Sequence, residues 1–69
     1  MTDSKRLKAR IKESGLKKVF IAQKLGITYQ GYSKKENGKS EFLASEILTL
    51  KELLCLSNKE VSEIFLQNK

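Results

Sequence analysis

Apolar residues along this chain recur at intervals of three and four, and glycine, asparagine and serine interrupt the runs. That period predicts helices, and no stretch carries a strand signal. Leu7 and Ile11 lie one turn apart, which predicts a first helix over about Ser4–Ser14. Asp3 or Ser4 can cap it, and Gly15 can end it with a left-handed residue. Ile21, Ala22 and Leu25 define a second helix over about Lys17–Leu25, stopped by Gly26 at a position expected to need positive φ. Thr28 is placed to cap a third over about Tyr29–Glu36, which Asn37-Gly38 closes. Leu43, Ile47, Leu50 and Leu54 form the stripe of a fourth over about Ala44–Cys55. Ser57 or Asn58 opens a short fifth, to about Leu66, with Val61, Ile64 and Phe65 inward. Gln67-Asn68-Lys69 is expected to fray.

The expected fold is therefore all-α: a compact five-helix domain over residues 1–69, with connections of ordinary length. Leu7, Ile11, Ile21, Leu25, Ile27, Tyr32, Ile47, Leu50 and Leu54 are its expected core. At 69 residues the chain is far too short for a (β/α)₈ barrel or a full doubly wound sheet. One cysteine, Cys55, and no histidine exclude an internal disulfide and argue against a zinc site. A reducing, cytoplasmic setting is the simplest expectation. No apolar run approaches the ~20 residues that span a bilayer, and no signal peptide is visible.

Charge changes the picture. The chain carries a net charge of +6, unevenly distributed. Residues 1–39 hold eleven bases against three acids (Asp3, Glu13, Glu36), whereas residues 40–69 are acidic on balance. Such asymmetry in a small domain suggests a polyanion facing the N-terminal half.

Residues 16–39, LKKVFIAQKLGITYQGYSKKENGK, carry the most specific signal. Small Ala22 lets a following helix cross closely. Gly26 makes a sharp turn, Ile27 plugs the corner, and Tyr32 returns to the same core. This is the spacing of a helix-turn-helix over about residues 17–36, whose second helix can enter a major groove. The order Leu16, Ile21-Ala22, Leu25-Gly26-Ile27-Thr28, Tyr32-Ser33, Glu36-Asn37-Gly38-Lys39 resembles the Cro/CI-type (XRE) helix-turn-helix regulators. The stretch YSKKENGKSEF followed by SEIL is similar to a subgroup of small phage and prophage proteins, the short lytic repressors and modulators of repression. The resemblance implies a lambda-repressor-like fold and a role in a phage or prophage transcriptional switch. Two positions depart from the family pattern. Lys35 stands where an apolar residue is usual, its stem expected along the core edge with the ammonium in water. Gly31 lies inside the short third helix, where it costs roughly 1 kcal/mol relative to Ala.

With double-stranded DNA as partner, Tyr29, Gln30, Ser33 and Lys34 are the outward residues expected at base edges. Gln30 leads, because an amide pairs bidentately with adenine. Thr28, Lys17, Lys18, Asn37 and Lys39 are the phosphate candidates. Each has a plainer reading as a solvated helix face, and Thr28 as a simple cap.

Val19 and Phe20 are apolar where the family is usually polar. Exposed large apolar residues suggest a protein contact. With Leu48 and Leu53 they are the candidate partner-protein residues. Leu48, Leu53, Cys55, Phe65 and Leu66 are a candidate homodimer seam. The alternative function is accordingly an antirepressor that grips a partner repressor through Val19 and Phe20. Fold alone does not decide between the two. An enzyme is not expected, since no histidine, carboxylate pair, phosphate loop or activating base for Cys55 is visible. Neither a cofactor, a metal, a small-molecule ligand nor a membrane role is expected. The apolar residues of the basic first helix are needed for the core.

Overall fold

Local hydrogen bonding explains where each helix of this chain starts and stops. The computed structural model describes residues 1–66. Among them are five helices and no strand: α1 (Ser4–Ser14), α2 (Lys18–Leu25), α3 (Tyr29–Glu36), α4 (Ala44–Leu53) and α5 (Asn58–Phe65). The expected fraying of residues 67–69 lies outside the described residues.

Asp3 caps α1, its carboxylate accepting the Arg6 N–H at 3.1 Å. Thr28 caps α3 and Ser57 caps α5 through their hydroxyls. Glu60 completes the α5 cap by accepting the Ser57 N–H at 3.0 Å, the standard reciprocal box. That backbone bond is the main cause holding the Glu60 carboxyl below its ordinary pKa, with Arg10 assisting.

Three helices end in the same doubly bonded turn. After α2, Ile27 N–H reaches the Ala22 carbonyl and Gly26 N–H the Gln23 carbonyl. After α3, Lys39 reaches Lys34 and Gly38 reaches Lys35. After α4, Leu56 reaches Lys51 and Cys55 reaches Glu52. Each is a Schellman stop, which needs one left-handed residue. Gly26 and Gly38 supply it at φ 74° and 80°. Cys55 supplies it at φ 54° without being glycine. Here the expected helix to Cys55 is corrected: α4 ends at Leu53, because Cys55 has already left the helical region.

The core joins Leu7 and Ile11 of α1, Ile21 and Ala22 of α2, Tyr32 of α3, Leu50 of α4, and Ile64 and Phe65 of α5. Leu54, Leu56 and Phe42 join it from the connections. Phe42 packs between Tyr32 and Phe65, tilted to the one and edge-on to the other, with ring centroids 6.2 and 5.4 Å away. Leu25, Ile27 and Ile47 pack at its edge, half-buried. Leu43 does not belong to the α4 stripe as expected. It is the residue before the helix, 61% exposed, with its backbone N–H held by Glu46.

α1 and α5 close the bundle. Asp3 N–H donates to the Ile64 carbonyl at 2.6 Å. Arg6 pairs with Glu63, and Arg10 Nε lies 3.1 Å from Glu60. Arg10 also donates to the Leu54 carbonyl at 3.1 Å and pairs with Glu13. One guanidinium thus binds an orphan carbonyl at the end of α4 and a carboxylate at the start of α5.

Candidate nucleic-acid interface

α2 and α3 are joined by Gly26-Ile27-Thr28, and α3 buries only one of its sides. Tyr32 and Glu36, one turn apart, face inward at 0% and 2% exposure. Tyr29, Gln30 and Lys34 are exposed, and Ser33 is half-buried. The four expected base-edge residues therefore occupy α3 away from its Tyr32–Glu36 side.

Two buried carboxylates fix how α3 is presented. Glu36 accepts from the Tyr32 hydroxyl at 2.9 Å and from Lys18 Nζ at 3.0 Å. Burial, then the Glu36 charge, pushes the Tyr32 phenol far above its ordinary pKa. Glu46 of α4 takes Lys35 Nζ on both oxygens, at 2.6 and 2.8 Å, and accepts the Leu43 N–H at 2.8 Å. α3 is thereby tied at its C-terminal turn to α2 and to α4. Burying such pairs adds little net stability, while removing one partner is costly.

These ties change several expectations. Lys35 does not send its ammonium to water; Glu46 holds it, and its side chain is 17% exposed. Lys18, expected at phosphates, has its ammonium 3.0 Å from the buried Glu36 carboxylate, with 39% of its side chain exposed. Thr28 is a cap, its hydroxyl accepting the Gly31 N–H at 3.0 Å. A Cβ on Gly31 would lie 3.2 Å from that hydroxyl oxygen, so the glycine leaves room for the cap. Asn37 donates to the Ser33 carbonyl and accepts from Lys8 Nζ at 2.9 Å. Lys17 and Lys39 are exposed, on either side of the α2–α3 pair in sequence.

Glu36, Glu46 and Lys8 were not among the expected site residues. For Glu46 a signal existed: an acid three positions after the residue preceding a helix is the capping-box position. Glu36 carried none, because a lone acid among lysines reads as surface.

The expected partner-protein residues do not form one surface class. Val19 is 64% exposed and Leu48 56%. Phe20 is 38% exposed, with the Lys24 ammonium 5.4 Å from its ring centre. Leu53 is half-buried. Phe65 is buried against Phe42 and so is not available to the expected homodimer seam; Cys55 and Leu66 are exposed. No helix among the described residues is long and apolar enough to cross a membrane. Comparisons with family models, curated proteins and solved structures give no match to this chain.

Proposed function

We propose that this chain is a lambda-repressor-like helix-turn-helix regulator that binds double-stranded DNA through α3, acting in transcriptional control in a cytoplasmic, phage or prophage setting. The observation that carries the reading is the anchoring of α3. Its inward side is held by Tyr32, Glu36 and Lys35, while Tyr29, Gln30 and Lys34 are left to solvent. A helix held this way offers polar side chains at a defined register, as base readout requires. Lys17 and Lys39 supply cations for the flanking phosphates, and the +6 net charge favours approach to a polyanion.

The deciding experiment is selection from a random duplex pool, with sequencing of the bound fraction at two salt concentrations. Enrichment of a defined site that Q30A/K34A no longer prefers is the expected result. Salt-sensitive binding without enrichment would overturn base readout.

A second reading has its own support. Val19, at 64% exposure, and Phe20 form an apolar pair on α2 beside Lys24. An antirepressor gripping a partner repressor would use that pair. Val19→Ser/Phe20→Ser would then abolish partner binding and leave DNA binding unchanged.

A further inference from the structure

The five bases of α1 are not equivalent. At 100° per residue, Arg6 and Arg10 fall on one side of the buried Leu7–Ile11 line, and Lys5, Lys8 and Lys12 on the other. The arginine side is neutralised. Arg6 pairs with Asp3 and Glu63, and Arg10 with Glu13 and Glu60. The lysine side is exposed, and none of its three ammonium groups forms an ion pair among the described residues.

The lysine side also lies next to α3. Lys8 Nζ donates to Asn37 Oδ1 at 2.9 Å, and Asn37 is the residue that follows α3. Ser4, at the start of α1, has its hydroxyl 3.9 Å from where a Cβ on Gly38 would stand. Lys39 follows directly.

We propose that the Lys5–Lys8–Lys12 stripe of α1 binds the phosphate backbone of duplex DNA beside the groove entered by α3. The inference rests on the DNA-binding reading above and assigns that site a second, sequence-independent half. Lysines at i, i+3 and i+7 repel one another on an isolated helix face, and a polyanion removes that repulsion. The dimensions agree. Seven residues at about 1.5 Å rise span about 10 Å. Duplex DNA carries about one phosphate per 1.7 Å of its axis, so several phosphates lie within that reach. The acids that pair with α1, Asp3, Glu13, Glu60 and Glu63, all meet its arginines, and Glu36 and Glu46 are buried with Lys18 and Lys35.

The test is fluorescence anisotropy on a selected duplex and on an unrelated one, between 50 and 200 mM salt. K5Q/K8Q/K12Q is compared with wild type, with Q30A/K34A, with K5R/K8R/K12R and with K51Q/K59Q as a control for net charge. The glutamine triple is expected to flatten the plot of log K against log salt by about 2–3, at about 0.9 per phosphate contact. It weakens both duplexes equally and leaves their affinity ratio unchanged. The arginine triple keeps the wild-type slope, and K51Q/K59Q stays near it. A glutamine triple with the wild-type slope, or one matched by the K51Q/K59Q control, overturns the stripe alone while Q30A/K34A still reports on α3. A wild-type chain that binds neither duplex overturns both readings. Circular dichroism identical to wild type establishes that the triple is folded.

Discussion

Lys35 and Glu46 meet across the junction of α3 and α4, with the ammonium 2.6 and 2.8 Å from the two carboxylate oxygens. The same carboxylate holds the backbone N–H of Leu43, so one side chain both starts α4 and fastens α3. Replacing Glu46 by Ala leaves Lys35 without its partner at 17% exposure and frees the N–H. Glu46→Ala is expected to lower stability by about 2–4 kcal/mol in urea unfolding. Glu46→Gln keeps an acceptor for Leu43 and is expected to cost about half as much. A loss below about 1 kcal/mol for Glu46→Ala would mean that the pair behaves as an ordinary surface bridge.

Tyr32 gives stability a dependence on alkaline pH. Its folded-state pKa is raised above the unfolded value, by burial first and by Glu36 second. The neutral phenol is therefore the form the fold needs. Its contribution is complete below the unfolded pKa of about 10 and is lost as pH rises beyond it, at up to about 1.4 kcal/mol per pH unit. Tyr32→Phe removes this component, so wild type should lose more stability than the variant between pH 9.5 and 11. At neutral pH the variant is expected to be less stable by about 1.5–3 kcal/mol, because buried Glu36 loses a hydrogen bond. Parallel pH curves for the two proteins would contradict the assignment.

Thr28 and Gly31 are coupled by one hydrogen bond at 3.0 Å and by one close approach at 3.2 Å. Gly31→Ala alone gains up to about 1 kcal/mol of helix propensity but presses on the cap oxygen. The net change should stay within about 0.5 kcal/mol. In a Thr28→Ala background the obstruction is gone, and the same substitution should return close to the full 1 kcal/mol. A double-mutant cycle by thermal or urea unfolding measures the difference, expected at about 0.5–1 kcal/mol. Strict additivity would show that the two positions act independently.

Cys55 holds a left-handed conformation at φ 54° and is exposed. Such a conformation disfavours a side chain by about 1–2 kcal/mol, while glycine adopts it freely at some cost in unfolded-state entropy. Cys55→Gly should therefore raise stability by about 0.5–1 kcal/mol. A Tm equal to or below wild type would argue against strain there.

Much of the fold was legible because its signals are local. Gly15, Gly26 and Asn37-Gly38 marked three helix ends correctly; Thr28 was a recognisable cap, and of the pairs Asp3 or Ser4 and Ser57 or Asn58 the first of each is the cap. The end of α4 was not legible, since its stop is a cysteine and the apolar stripe runs on through Leu54. Phe42 and Leu56 escaped notice as core residues because connections carry no periodicity. Tyr29, Gln30 and Lys34 were expected outward on α3 and are exposed, while Ser33, expected with them, is half-buried; Val19 and Phe20 stood out by their departure from the family pattern, and both are exposed. The ties of Glu36 to Lys18, Glu46 to Lys35 and Arg10 to Glu60 join residues more than ten positions apart, and spacing along the chain does not report such contacts. For that reason the charge excess of the N-terminal half overstated its free cations: Arg6, Arg10, Lys18 and Lys35 are neutralised internally.

The bond from Asp3 to the Ile64 carbonyl has a consequence for the order of events during synthesis. α1 is made first, yet the helix that covers its arginine side is the last of the five. While the ribosome is still adding α5, at about 5–20 residues per second, Arg6 and Arg10 have only the local carboxylates Asp3 and Glu13 and lack their α5 partners Glu63 and Glu60. Final closure therefore waits for the emergence of Ile64, and a nascent chain stalled before that point should lose α1 to added protease more readily than the released chain does.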